Sequence, residues 1–168
     1  AELRKLLEDS EGTWRISFLE NQATFQRGAI AFSMRLLEGD FPDYNQVIPG
    51  QWQRRLLMNR DALSQTLRRV SILASEKSHP VRFAMGDGSV TVRAQQPGLG
   101  EAREELEAQT EGTEVEIGFN ARYFRDALQA LDTDTVIIEV GDSLSPCLIR
   151  PGEGTHDELY VIMPMRLE

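Results

Sequence analysis

The residues able to do chemistry are few and poorly placed for it. His79 and His156 sit in loop-like stretches beside Pro80 and Asp157, without the cysteine or carboxylate spacing that a zinc site requires. They read as surface histidines. The one cysteine, Cys147, falls in the alternating run LSPCLIR, where a cysteine is more often a small core residue than a nucleophile. No GxSxG, HExxH or P-loop pattern occurs. The GDG at 86–88 reads as a turn with nothing nearby to cradle a phosphate, and the DTD at 132–134 as a loop ending a helix. Glu101, Glu104, Glu105, Glu107 and Glu111 form a carboxylate series, which a solvated face protecting a strand edge explains. An enzyme using these carboxylates with a metal would need ligands at site spacing, and none are found. No catalytic residue, cofactor or metal site is therefore expected, and the pattern favours binding or scaffolding.

Composition narrows the class further. The 168 residues are 40% hydrophobic, enough for a globular core, and no apolar run approaches the ~20 residues of a membrane helix. The opening AELRKLLEDS is amphipathic rather than a leader-like apolar block. One cysteine excludes an internal disulfide and fits a reducing compartment. A net charge of −9 argues against a free nucleic-acid binder, which is usually basic, although the distribution of charge can overrule its total. Ala1 opens in mid-pattern with no cap before it, and Glu168 follows what reads as a natural end at Leu167. The expectation is a piece of a longer chain.

The elements that would position any site follow from periodicity. Leu3, Leu6 and Leu7 have helical spacing over 1–9. TWRISFLE (13–20) alternates, with Trp14, Ile16 and Phe18 on one face, and predicts a strand. A tight turn at Asn21–Gln22 and strands over 23–28 and 29–37 follow. The Pro/Gly/Asp-rich EGDFPDYNQVIPG (38–50) is a connection, placing a domain boundary between about Gly39 and Gln53. Then RRLLMN (54–59) predicts a strand and 59–75 a helix. Asn59 is its N-cap, and Leu63, Leu67, Val70 and Ala74 form its apolar stripe. Residues 81–95 predict a hairpin and 101–109 a strand. The order recurs as a strand at 113–120, a helix at 121–131 and strands within 135–141, 144–150 and 157–164. Residues 54–110 and 113–165 each read strand–helix–strand–strand–strand, an internal repeat. The fold class is α+β, with repeated units, antiparallel sheets and helices on one face.

Basic residues recur on helix faces away from the apolar stripes: Arg4 and Lys5, then Arg60 and Arg68, then Arg122 and Arg125. They are either an ordinary solvated face or a functional one. Ile72 lies about 180° from Leu63 around its helix, with Leu73 at the stripe's edge. The pair is either a lone exposed apolar site or part of a subunit interface. The terminal YVIMPMRL is either a last core strand with a frayed end or an apolar binding surface.

Three stretches carry a resemblance that bears on these choices: GDFPDYNQVIP (39–49), EIGFNARYFRDAL (116–128) and YVIMPMRL (160–167). With them the chain resembles the C-terminal part of the bacterial DNA polymerase III beta subunit, the sliding clamp. The resemblance covers essentially the whole chain and implies a DNA-clamp fold. Residues 1–50 look like a partial second clamp domain plus connector, and 51–168 like the complete third domain. It implies a non-enzymatic, cytoplasmic processivity factor of DNA replication, a head-to-tail homodimeric ring around duplex DNA that associates with the nucleoid through it. Arg4, Lys5, Arg60, Arg68, Arg69, Arg122 and Arg125 are then candidates to face DNA, held through its phosphates without sequence readout. Ile72 and Leu73 fall at the subunit joint.

The resemblance also implies a hydrophobic groove where the replicative polymerase, clamp loader and repair proteins dock short motifs of Gln-X-Leu-X-Phe type. Its matching positions are Pro42, Val47, Asn120, Tyr123, Leu144, Pro146, Val161, Ile162, Met163, Pro164, Met165, Arg166 and Leu167. Flexible, polarizable Met163 and Met165 suit varied partners, and Pro164 lowers the ordering cost of the tail. Gln46, Ser78 and Pro146 depart from the family pattern, which bears on fine peptide preference. The family's DGHRL-type segment, which builds the groove's other wall, is absent, and so is the first domain needed to close the ring. The alternative reading is a peptide-binding adaptor without a DNA role.

Overall fold

The computed structural model describes residues 2–8, 12–40, 43–74, 80–154 and 158–166. The chain forms two compact units, Ala1–Pro42 and Asp43–Glu168. The first contains helix α1 (Glu2–Glu8) and an antiparallel meander of β1 (Arg15–Leu19), β2 (Gln22–Arg27) and β3 (Ile30–Arg35). β1 is the expected strand, but its alternation brings no burial. Every β1 residue is exposed, Phe18 at 70%. Alternation defines a face, but burial needs a layer over it, and the unit's own elements leave this one uncovered. Ala23 is the single buried apolar residue among those described in the unit.

The second unit holds the repeat. Its first copy is β4 (Arg54–Asn59), α2 (Arg60–Val70), β5 (Pro80–Gly86), β6 (Ser89–Gln96) and β7 (Gly100–Glu107), followed by the short β8 (Gln109–Gly112). Its second copy is β9 (Val115–Asn120), α3 (Ala121–Ala130), β10 (Thr135–Val140), β11 (Cys147–Pro151) and β12 (Tyr160–Ile162). The copies exchange their first strands. One sheet runs β12-β11-β10-β4-β8 and the other β7-β6-β5-β9, every neighbouring pair antiparallel. Each copy thus completes the other's sheet, and neither half owns a whole one.

Local chemistry explains the helices. Asn59 and Asn120 stand at equivalent positions, and each side-chain oxygen accepts a helix-opening N–H, from Ala62 at 2.8 Å and Arg122 at 2.9 Å. Such caps stabilise a helix by about 1 kcal/mol. Leu63, Leu67 and Val70 of α2 and Phe124, Ala127 and Leu128 of α3 are buried with Leu56, Phe83, Phe119, Ile138 and Ile149. The rings of Phe83, Phe119 and Phe124 meet at centroid distances of 4.8–5.5 Å. Each such side chain contributes roughly 1.5–3 kcal/mol by leaving water. Cys147 belongs to this core, and burial pushes its thiol well above its usual range.

Several expected boundaries shift, among them the tight turn, which falls at Glu20–Asn21 with Gln22 already in β2 opposite Leu19. The helix over 59–75 stays α only to Val70, then tightens to a 3-10 turn at Ser71–Leu73. The strand expected over 101–109 is two strands in different sheets, the chain changing sheet at Ala108, whose N–H donates to Gly88 O at 3.0 Å. The strand expected from Leu144 starts only at Cys147, because Asp142 folds the residues before it into a turn. The last strand ends at Ile162, before Pro164, which has no N–H to give a ladder. His79, His156 and Ser78 lie outside the described residues.

Candidate functional site

The C-terminal tail crosses between the two sheets. β12 is the edge of one, and Ile162 is buried there, paired with Cys147. Three residues on, the Met165 N–H donates to Gly118 O at 2.8 Å, an isolated antiparallel bridge to β9, the edge of the other sheet. The tail is therefore pinned at both ends. Between the pins Met163 is 61% exposed and Pro164 half-buried. A methionine held out by a stiffened backbone can adapt its side chain without reordering the main chain.

A second apolar group stands beside it. The Asp142 carboxylate accepts from the N–H of Leu144 at 2.9 Å, and from the N–H and hydroxyl of Ser145 at 2.7 and 2.8 Å. These bonds, the Leu144 N–H first, hold its carboxyl below the usual range. They also fix a turn that leaves Leu144 62% exposed. Leu144, Met165 and Arg166 line an open cleft of about 570 Å³ with Arg82, Glu116, Ile117, Gly118 and Ser143. The Glu116 carboxylate accepts from Arg82 at 2.6 Å and from Arg93 at 2.7 Å. Those two bonds, Arg82 first, hold its carboxyl below the usual range.

The other groove positions stand apart from this cleft. Asn120 is occupied as the α3 cap, and Tyr123 is 59% exposed on the first turn of that helix. Val161 is partly exposed on β12, opposite Leu148. Val47, also exposed, closes the 3-10 turn Tyr44–Gln46. Pro146 lines a separate small cleft with Pro49, Trp52 and Leu148. Pro42 and Leu167 lie outside the described residues. Sequence reasoning missed Arg82 and Glu116. The signal was the alternation VRFAM, which puts Arg82 on the outer face between buried Val81 and Phe83.

The basic positions divide by what holds them. Arg60 corrects the expectation of an exposed helix face. Its guanidinium is mostly buried and donates to the α3-end carbonyls Leu128 O at 3.3 Å and Leu131 O at 2.8 Å. A cation there complements the helix dipole, and the side chain ties α2 to α3. Arg69 donates to both oxygens of Glu104 at 2.7 and 2.6 Å, so its charge is matched locally. Arg125 is half-buried, with an Nε that has no partner among the described residues. Lys5 pairs with Glu2 at 3.5 Å, and Arg4 is exposed on α1. Arg122 is exposed, with Asp126 no closer than 3.9 Å. The Arg68 side chain is exposed and makes no ion pair among the described residues. Ile72 is 78% exposed on the 3-10 turn, while Leu73 beside it is half-buried.

Among the described residues no group of three His, Cys, Asp or Glu side chains is arranged to hold a metal ion, and no helix is long and apolar enough to cross a membrane. Strand-exchanged antiparallel sheets with paired helices are the fold of the sliding clamps, as solved structures confirm. The chain matches clamps from Bartonella birtlesii (TM-score 0.85, 34% identity, 99% of this chain and 45% of that one) and Thermotoga maritima (TM-score 0.80, 30% identity, 99% and 46%). The chain belongs to the family of the DNA polymerase III beta subunit, C-terminal domain, whose family model matches residues 45–166. Among curated relatives, the beta sliding clamp of Pseudomonas putida is 36% identical over 166 residues, and that of Staphylococcus aureus 33% over 168. The chain is covered to 99% in each and spans about half the length of these relatives, 45% and 44%.

Proposed function

We propose that the chain is the C-terminal part of a ring-shaped sliding clamp, a non-enzymatic, cytoplasmic processivity factor of DNA replication, and that its tail docks partner peptides. The pinned tail carries this reading: Met165 is bonded to Gly118 while Met163, Leu144 and Tyr123 stay exposed. Three large apolar side chains on ordered backbone, in one compact unit, favour a binding surface over a frayed end. Residues 1–50 then belong to a second clamp domain and its connector, and 51–168 form the third. The division after Pro42 and the family match over 45–166 support that assignment.

In the full ring, a homodimer, the remaining groove positions and the missing wall complete the site, and polymerase, clamp loader and repair proteins share it. Clamps of Bartonella birtlesii and Pseudomonas aeruginosa were solved bound to griselimycin, which supports a ligand-accepting surface on this fold. Ile72 and Leu73 serve the subunit joint. Duplex DNA is met through phosphates, with Arg68 and Arg122 the best-placed cations. A labelled Gln-X-Leu-X-Phe peptide tests the reading by fluorescence anisotropy. Saturable binding to the chain, lost in Met163→Ala and Tyr123→Ala, is expected. Absence of binding to the full-length protein as well, or binding indifferent to both substitutions, overturns it; binding by the full-length protein alone means that the groove needs both domains.

The internal engagement of Arg60 and Arg69 favours a second reading, a peptide-binding adaptor without a DNA role. Salt-dependent retention of the full-length protein on nicked circular DNA separates the two.

A further inference from the structure

The cleft beside the tail carries a surplus of positive charge that an apolar docking motif does not use. Arg82, on the outer face of β5, and Arg166, on the tail, both line it. Glu116 is the one carboxylate among the described lining residues, and it is shared between Arg82 and Arg93. Arg166 is exposed and makes no ion pair among the described residues. Two lining guanidiniums thus face one carboxylate whose charge Arg93 also shares, in a chain whose net charge is −9. Glu116 is held ionised by two hydrogen bonds, so it stays a fixed −1 and leaves the surplus in place. The same cleft has an apolar floor of Ile117, Leu144 and Met165.

We infer that this cleft selects an acidic residue flanking the apolar anchor of a docked peptide, its carboxylate received by Arg82 and Arg166. The inference rests on the peptide-docking reading of the tail and adds the chemistry of the partner. An acidic peptide satisfies both parts of the cleft, the cations by its carboxylate and the floor by its apolar side chain. A nucleic-acid backbone offers only the charge. Arg82 also projects from the face of its sheet opposite the core, whereas α2, which carries Arg68, packs against β6 and β7 on the core face. Guanidiniums bind carboxylates through two parallel N–H donors, but exposed pairs are screened by salt. The preference is therefore moderate and salt-sensitive.

The test uses three labelled Gln-X-Leu-X-Phe peptides, flanked by Asp-Asp, Ser-Ser or Lys-Lys, titrated against the full chain. The acidic peptide is expected to bind about 3- to 10-fold tighter than the neutral one at low salt. The ratio falls to about one in the Arg82→Gln, Arg166→Gln double variant and at about 0.5 M salt. Arg93→Gln, which shares Glu116 but does not line the cleft, keeps the preference and controls for the network. Equal binding of acidic and neutral peptides, still lost in Met163→Ala, overturns the inference and leaves the docking reading standing. Failure of all three peptides to bind both the chain and the full-length protein overturns the docking reading and this inference with it. A short DNA duplex held through Arg82 and Arg166 reassigns the cleft to phosphate and likewise overturns it.

Discussion

The guanidinium of Arg54 donates to Gly112 O at 2.6 Å, across 58 positions of sequence. It also donates to Gly86 O and, at 3.2 Å, to Asp87 Oδ1. Arg54 is 1% exposed while the Asp87 side chain is 88% exposed. The two ends of this ion pair therefore differ in what they contribute. Removing Arg54 strips two carbonyls of their donor and opens a cavity where the β4–β8 pair meets the β5–β6 turn. Arg54→Ala is expected to lower stability by about 2–4 kcal/mol, read as a lower urea midpoint. Asp87→Asn, in water either way, leaves that midpoint nearly unchanged.

Gly112 and Gly88 are both in the left-handed region, at φ +91° and +72°, yet they differ in surroundings. A Cβ on Gly112 would stand 1.9 Å from Gln53 O, whereas one on Gly88 meets nothing within 4 Å. Gln53 cannot yield easily, because its N–H donates to Val140 O at 2.8 Å and its carbonyl accepts from Thr113 at 3.0 Å. Gly112→Ala is expected to destabilise by about 3 kcal/mol or more. Gly88→Ala costs only the conformational term of about 1–2 kcal/mol. Chemical unfolding of the two variants side by side checks the ranking.

Much of this architecture was legible because each repeat writes its elements in plain periodicity. The alternation in VRFAM and TVIIEV, the stripe of Leu63, Leu67 and Val70, and the two capping asparagines each predict the element found. Pairing partners were not legible. RRLLMN reads as a short strand, but nothing local says that it completes the sheet of the second copy, since that depends on contacts far apart in sequence. The change of sheet at Ala108 hid inside one charged run for the same reason. Arg60 read as part of an exposed helix face because arginine usually is exposed, and nothing in the sequence singled out Arg54. Only the assembled carbonyls at Gly86, Gly112, Leu128 and Leu131 make them interior residues. Within the candidate site, the apolar tail stood out in the sequence, while the cationic wall at Arg82 depends on β5 lying beside β9.

Acid should loosen the second unit through two carboxylates. Glu104 is depressed chiefly by its hydrogen bonds from Arg69, and Glu116 by those from Arg82 and then Arg93. Each titrates lower in the folded chain than in the unfolded one. Their contribution is therefore complete above about pH 4.5, the ordinary glutamate value, and is lost as pH falls through the lowered folded values. The urea midpoint is expected to drop between about pH 6 and about pH 3.5. A Glu104→Gln, Glu116→Gln variant starts from a lower midpoint and shows a shallower drop. An equal drop in both proteins would place the acid sensitivity elsewhere.

Arg60, Arg68 and Arg122 all sit on helices, but on the clamp reading proposed above their environments call for different outcomes when the full-length protein is assayed on DNA. Arg68 is exposed without an ion pair among the described residues, and Arg122 holds Asp126 only at 3.9 Å. Each can release its counterions to a phosphate. Arg68→Gln and Arg122→Gln are each expected to reduce the salt slope of DNA retention by about one, with no change in sequence preference and little in the unfolding midpoint. Arg60 instead turns Nη1 to Leu128 O and Leu131 O, while its Nη2 lies 3.0 Å from Asp61 Oδ1. Arg60→Gln should therefore lower the unfolding midpoint, by about 1–3 kcal/mol, and leave the salt slope where it was. If Arg60→Gln changes the slope as much as Arg68→Gln does, the guanidinium must leave its carbonyls to meet DNA, and its assignment as an interhelix tie is wrong.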